Sequence, residues 1–135
     1  EQIPDPNAPQ TFEASRPALA STTPSAVHDF YRQLLQIRHR HIIAFLPGTH
    51  ALDAEVLGTA AVSSSWRLGD GSHLRIDLNL SAKPIRHTPP VNASLLFEQP
   101  PGSGQQLDQG TLPPYCALVS LTAAAPLLPL DGERQ

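Results

Sequence analysis

Two hydrophobic periods divide the chain. Val27, Phe30, Tyr31, Leu34, Ile37, Arg38, His41, Ile42 and Phe45 recur at steps of three and four, the spacing that gathers side chains into one mainly apolar stripe on an amphipathic helix. Thr23 supplies a capping hydroxyl, and Pro24 fits the first helical position, where a backbone donor would be unpaired anyway. Asp29 near the start and Arg38, His39, Arg40 and His41 near the end suit the helix dipole. Pro47-Gly48 closes the segment. The pattern predicts a helix over 24–46.

Downstream the period falls to two. His73-Leu74-Arg75-Ile76-Asp77-Leu78-Asn79-Leu80 alternates strictly, which puts the four leucine and isoleucine side chains on one face and the polar groups on the solvent face. Ala61–Leu68 forms a second strand, with Val62, Ser64, Trp66 and Leu68 sharing a face, and Gly69-Asp70-Gly71 reads as the hairpin turn between the two. Shorter β segments are expected at Glu55–Leu57, Ser94–Glu98 and Pro114–Leu121, the last apolar enough to be covered on both sides. Gln99 to Gly110 reads as a Gly/Pro/Gln loop. Residues 53–121 therefore form an antiparallel β domain. Residues 122–135 are an Ala/Pro/Leu tail, and residues 1–23, with Pro4, Pro6, Pro9 and Pro17, form an extended lead-in that sustains neither helix nor ladder bonds.

Composition narrows the class. A length of 135 residues suits one domain with an appendage. The 9 basic and 12 acidic residues leave a net charge of -3, and Lys83 is the one lysine. Such a balance provides no cationic surface for a phosphate backbone, so nucleic acid is excluded as a partner. The longest apolar run is too short to cross a bilayer, and the first residues lack the basic and apolar parts of a signal peptide. The single cysteine, Cys116, has no partner for an internal disulfide and points to a reducing compartment, the cytoplasm. The chain contains no methionine and begins with Glu1, from which it is expected to be a piece of a longer protein.

Candidate chemistry is sparse. His39 and His41 are two apart, which turns them ~200° from each other on a helix, whereas chelation from a helix uses i, i+4 spacing. His28, His50, His73 and His87 have no second ligand at metal spacing and read as surface residues, so no metal or other cofactor is expected. Cys116 alternates within an apolar strand and reads as a small buried hydrophobe, not a thiolate. Gly102-Ser103-Gly104 lacks the strand-turn-helix setting of a nucleophile elbow. Asp70 and Asp77 are the acids nearest the best strands, one at a turn and the other on the solvent face, with no cleft wall to make either a glycosidase acid. Trp66 could stack on a sugar ring, but its parity with Val62 and Leu68 places it on the buried sheet face. No catalytic residue is assigned.

Four segments carry a family resemblance: Asp5-Pro6-Asn7-Ala8-Pro9-Gln10-Thr11-Phe12-Glu13-Ala14-Ser15, Phe30-Tyr31-Arg32-Gln33-Leu34-Leu35-Gln36-Ile37-Arg38, Trp66-Arg67-Leu68-Gly69-Asp70-Gly71 and Leu112-Pro113-Pro114-Tyr115. With the spaces between them they cover most of residues 4–121. The chain resembles the C-terminal portion of the malto-oligosyltrehalose trehalohydrolase family, within the α-amylase superfamily. That resemblance implies a last barrel helix over 24–46 followed by a C-terminal antiparallel β-sandwich. It also implies a parent enzyme that hydrolyses the α-1,4 linkage next to the trehalose end of malto-oligosyltrehalose, with its acids on upstream barrel strands. On this reading the chain is non-catalytic alone, its partner is the missing barrel of the same polypeptide, and the surface that met the barrel drives self-association. The alternative is a non-catalytic module that binds α-glucan oligosaccharide through Trp66 or Tyr115.

Overall fold

Alternation between residues 50 and 79 produces three consecutive strands, β1 (His50–Gly58), β2 (Ala61–Arg67) and β3 (His73–Asn79), in the computed structural model, which describes residues 5–16 and 25–124. The chain then adds β4 (Ile85–Arg86), β5 (Ala93–Gln99), β6 (Thr111–Leu112) and β7 (Cys116–Thr122). Strand β7 inserts between β3 and β5, giving a five-stranded antiparallel sheet of order β1-β2-β3-β7-β5, while β4 and β6 pair as a second, two-stranded sheet. The fold is the mainly antiparallel β architecture that the alternation predicts, and it is consistent with the sandwich that the family resemblance implies.

Two compact units divide the chain, residues 1–32 and 33–135. The first corrects the expectation of an extended lead-in, because Pro9–Ser15 is a short helix, α1. Prolines crowd positions 4, 6, 9 and 17 but leave 10–16 free, and Pro9 stands at the helix start where it needs no donor. The Thr23-Pro24 start lies outside the described residues. Within them, Ser25 caps helix α2 (Ala26–His41), its hydroxyl accepting from the His28 N–H at 3.2 Å. This helix ends at His41, not 46. Ile42 leaves helical geometry, and Ile43–Phe45 continues as a 3-10 turn in which the Phe45 N–H bonds the Ile42 carbonyl at 3.0 Å, a tightening common where the last carbonyls of a helix run out of partners.

The sheet buries the face that its sequence marks as polar. Cross-strand register aligns Glu55, Ser63, Asp77 and Leu118 in one row and Asp53, Ser65, Arg75 and Ser120 in the next, all on one face. Asp77 is 1% exposed and Asn79 0%, whereas Ile76 and Leu78 on the opposite face are only half-buried and Leu80 is 60% exposed. The expectation that Asp77 faces solvent is therefore wrong. The Trp66 face is buried only toward the hairpin: Leu68 and Leu74 are 2% and 7% exposed, whereas Trp66, opposite Leu74, is half-buried.

The cover on the polar face comes from 80–115. The supposed loop at 99–110 contains helix α3 (Ser103–Asp108), whose Leu107 joins Leu112, Cys116 and Leu118 in the core, with Leu57 packed against them. Ser120 Oγ is buried on this face without a hydrogen-bond partner, but the larger polar groups under the cover are bonded. The Asn79 amide nitrogen donates to the carbonyls of Lys83, Leu112 and Pro113, and its oxygen accepts from the N–H and hydroxyl of Ser81. Such full pairing is what makes a polar residue tolerable at 0% exposure. The last strand starts at Cys116, two residues later than expected, because Tyr115 before it takes a left-handed φ of 51°.

Two carboxylates fasten turns. Asp70 accepts from the hydroxyl of Ser72 at 2.6 Å and from its N–H at 3.0 Å, and Glu98 accepts from the N–H groups of Gly102 and Gly104 at 2.9 and 2.8 Å. These bonds favour the charged forms: the Ser72 hydroxyl, then its N–H, lowers the pKa of Asp70, and the N–H of Gly102, then that of Gly104, lowers that of Glu98. A carboxyl whose pKa is lower in the folded state contributes fully above its unfolded value, about 4, and loses that contribution as the pH falls through the folded value. Thermal unfolding is accordingly expected to lose midpoint temperature as the pH falls below about 4, with a shallower loss in Glu98→Gln. An identical acid profile for variant and parent would remove Glu98 from the account.

Candidate functional site

The centre of the buried polar face is an ion-paired cluster. Asp77 Oδ1 accepts from Arg75 Nε at 2.9 Å and lies 2.9 Å from His87 Nε2, and Arg75 Nε also reaches Ser63 Oγ at 3.1 Å. Arg75 Nη2 touches His87 Nε2 and donates to the Thr88 carbonyl at 3.0 Å. Alternation places Arg75 and Asp77 on one face of β3, and the chain after β4 folds back to bring His87 onto them. A carboxylate this deeply buried is tolerable because two basic side chains meet it. Its effect is to fix the Arg75 guanidinium.

Over this cluster opens a groove of about 330 Å³. Asp53 and Glu55 of β1 form one wall, Ser63, Ser65 and Arg75 the floor, and the 86–88 segment the other wall. Among the described residues no hydrogen bond or ion pair engages the side chains of Glu55, Ser65 or Arg86, although acid and guanidinium border the same space. Asp53 and Glu55 are both exposed. Glycosidase catalysis needs one enclosed carboxyl that keeps its proton, and neither is enclosed. The groove is equipped to donate and accept hydrogen bonds.

Trp66 and Tyr115 are not brought together. Trp66 pairs with Leu74, whereas Tyr115 precedes Cys116, which pairs with Asn79, so the two stand near opposite ends of β3, ~20 Å apart along the strand at 3.3 Å per residue. Tyr115 is 66% exposed. Cys116 is buried in the core, and its thiol pKa is pushed up mainly by desolvation. Asp70 sits at the hairpin turn. Of the histidines, His39 and His73 are exposed, and His50 accepts from Arg67 Nε at 2.9 Å. His87 is the one misread: its side chain is 8% exposed and held on Asp77. No cluster of three or more potential metal ligands occurs among the described residues, and no helix among them is long and apolar enough to cross a membrane.

The sequence signal for the cluster is the polar parity of β3. Four polar residues alternate there, two of them opposite charges at i, i+2, and the β2 positions facing that charged pair are Ser65 and Ser63. Small hydroxyls opposite an Arg-Asp pair leave room for a covering layer, which a solvent-facing sheet does not need.

A family described as a domain of unknown function, DUF3459, matches residues 49–119, more than half of the 135-residue chain. The chain belongs to the DUF3459 family. DUF3459 is a domain found at the C-terminus of α-amylase-type glycosidases. The DUF3459 segment runs from the residue before β1 into β7, and so contains the Asp77 cluster and every residue lining the groove, while helices α1 and α2 lie outside it. No curated protein and no solved structure matches the chain.

Proposed function

We propose that this chain is the C-terminal structural domain of a malto-oligosyltrehalose trehalohydrolase-like glycosidase, non-catalytic by itself and serving to brace the catalytic barrel. The observation that carries the reading is the outward apolar face of the five-stranded sheet. Ile76, Leu78, Val119 and Leu121 are half-buried there, and Val56 and Leu80 at its margins are 78% and 60% exposed. An apolar sheet face gains ~25 cal/mol for each Å² it removes from water, so it favours a partner surface. DUF3459 membership supports the barrel of an α-amylase-type enzyme as the partner, and the finer reading, an enzyme acting in the cytoplasm on malto-oligosyltrehalose, rests on the four resembling segments and the cysteine usage.

With that surface uncovered, the 135-residue chain is expected to self-associate reversibly in sedimentation velocity runs as its concentration rises. The double substitution Val56→Ser, Leu80→Ser should shift it toward monomer. A parent chain that stays monomeric throughout would contradict the bracing role assigned to this face.

A further inference from the structure

We propose that the groove between β1 and residues 86–88 is a binding site for a neutral, hydroxyl-rich ligand of the saccharide class. The inference stands on the groove and needs no particular parent enzyme. Two carboxylates, Asp53 and Glu55, and two guanidinium groups, Arg75 and Arg86, border one space of about 330 Å³. Carboxylates only accept hydrogen bonds and guanidinium groups only donate. A sugar hydroxyl does both, so one ligand can satisfy the two sets at once.

Other ligand classes fit worse. Asp77 beneath the floor neutralises Arg75, which leaves Arg86 facing Asp53 and Glu55, an excess of negative charge that repels phosphate and other anions. Leu57 is the one apolar side chain in the lining, too little for a lipid or an aromatic ligand. A purely cationic ligand would leave the Arg86 guanidinium unpaired.

The site is partly preorganised. Arg75 is fixed by Asp77, Ser63 and the Thr88 carbonyl, so its remaining N–H groups are offered without loss of side-chain freedom. Glu55, Ser65 and Arg86 have no partner to give up within the described residues. The site also differs from the aromatic candidates, since neither Trp66 nor Tyr115 lines the groove.

Isotope-edited NMR titration of the full 135-residue chain with maltoheptaose tests the proposal, with inorganic phosphate as the anionic control. Saturable shifts at β1, β2 and residues 86–88 are expected, with millimolar affinity and no response to phosphate. Glu55→Ala and Arg86→Ala should each weaken binding about tenfold, which is 1.4 kcal/mol, with an unchanged amide spectrum elsewhere, because both side chains are exposed and unpaired. Trp66→Ala should leave affinity within twofold. Absence of saturation with maltoheptaose, a preference for phosphate, or loss of binding in Trp66→Ala but in neither groove variant would overturn the proposal. None of these results bears on whether the chain self-associates through its apolar face.

Discussion

Replacing Asp77 with alanine is expected to destabilise the β unit by about 3–5 kcal/mol, the usual consequence of removing one partner from a buried ion pair. The side chain is 1% exposed and holds Arg75, itself 20% exposed, and His87 at 8%. Without the carboxylate, a guanidinium and an imidazole remain in a confined space with no opposite charge to offset their desolvation. Asp77→Asn keeps the shape and one acceptor oxygen and should lose less. Chemical denaturation of the three proteins measures the difference. A loss below about 1 kcal/mol in Asp77→Ala, the scale of an exposed pair, would mean that the cluster is a solvated surface feature.

Gly69→Val should cost at least as much as a strongly overpacked core substitution, about 3 kcal/mol. The reason is close approach. A Cβ at Gly69 would overlap the Pro47 carbonyl oxygen and stand 3.0 Å from that of Phe45, the group that accepts the Gly69 N–H at 2.7 Å. Backbone, not a pliable side chain, occupies the space, so the 45–47 segment must separate from the hairpin and the hydrogen bond must break. Gly71, with φ +85°, is the turn residue that needs left-handed geometry. At Gly71 a β-branched residue is strained by conformation, and at Gly69 by contact. A thermal midpoint for Gly69→Val within 2 °C of the parent would show that the two segments do not meet.

Element type was legible where a period persisted. The three- and four-residue spacing from Val27 onward became α2, and the alternation at 73–80 became β3 almost residue for residue. Face assignment failed in the same strand. Ile76 and Leu78 look like the core side of a half-solvated sheet, but the layer that buries one face covers Arg75, Asp77 and Asn79 instead. Alternation reports which residues share a face, and it does not report which face is covered. The cover was itself hard to read, since α3 lies in a Gly/Pro/Gln stretch and β4 and β6 are two residues each. His87 was misread for the same reason. Its partner lies ten residues earlier, across a fold-back that no local pattern encodes. The hairpin turn was found, but its two glycines act differently. Trp66 and Tyr115 were individually reasonable sugar contacts, and only strand register shows that they stand near opposite ends of β3.

The central claim is that these residues brace a glycosidase and do not carry out its chemistry. The direct measurement is trehalose release from maltotriosyltrehalose incubated with the purified 135-residue chain. The account predicts no trehalose above an enzyme-free blank, even at high protein concentration and long incubation. Repeated turnover, proportional to protein and abolished by substitution of a residue in this chain, would contradict it.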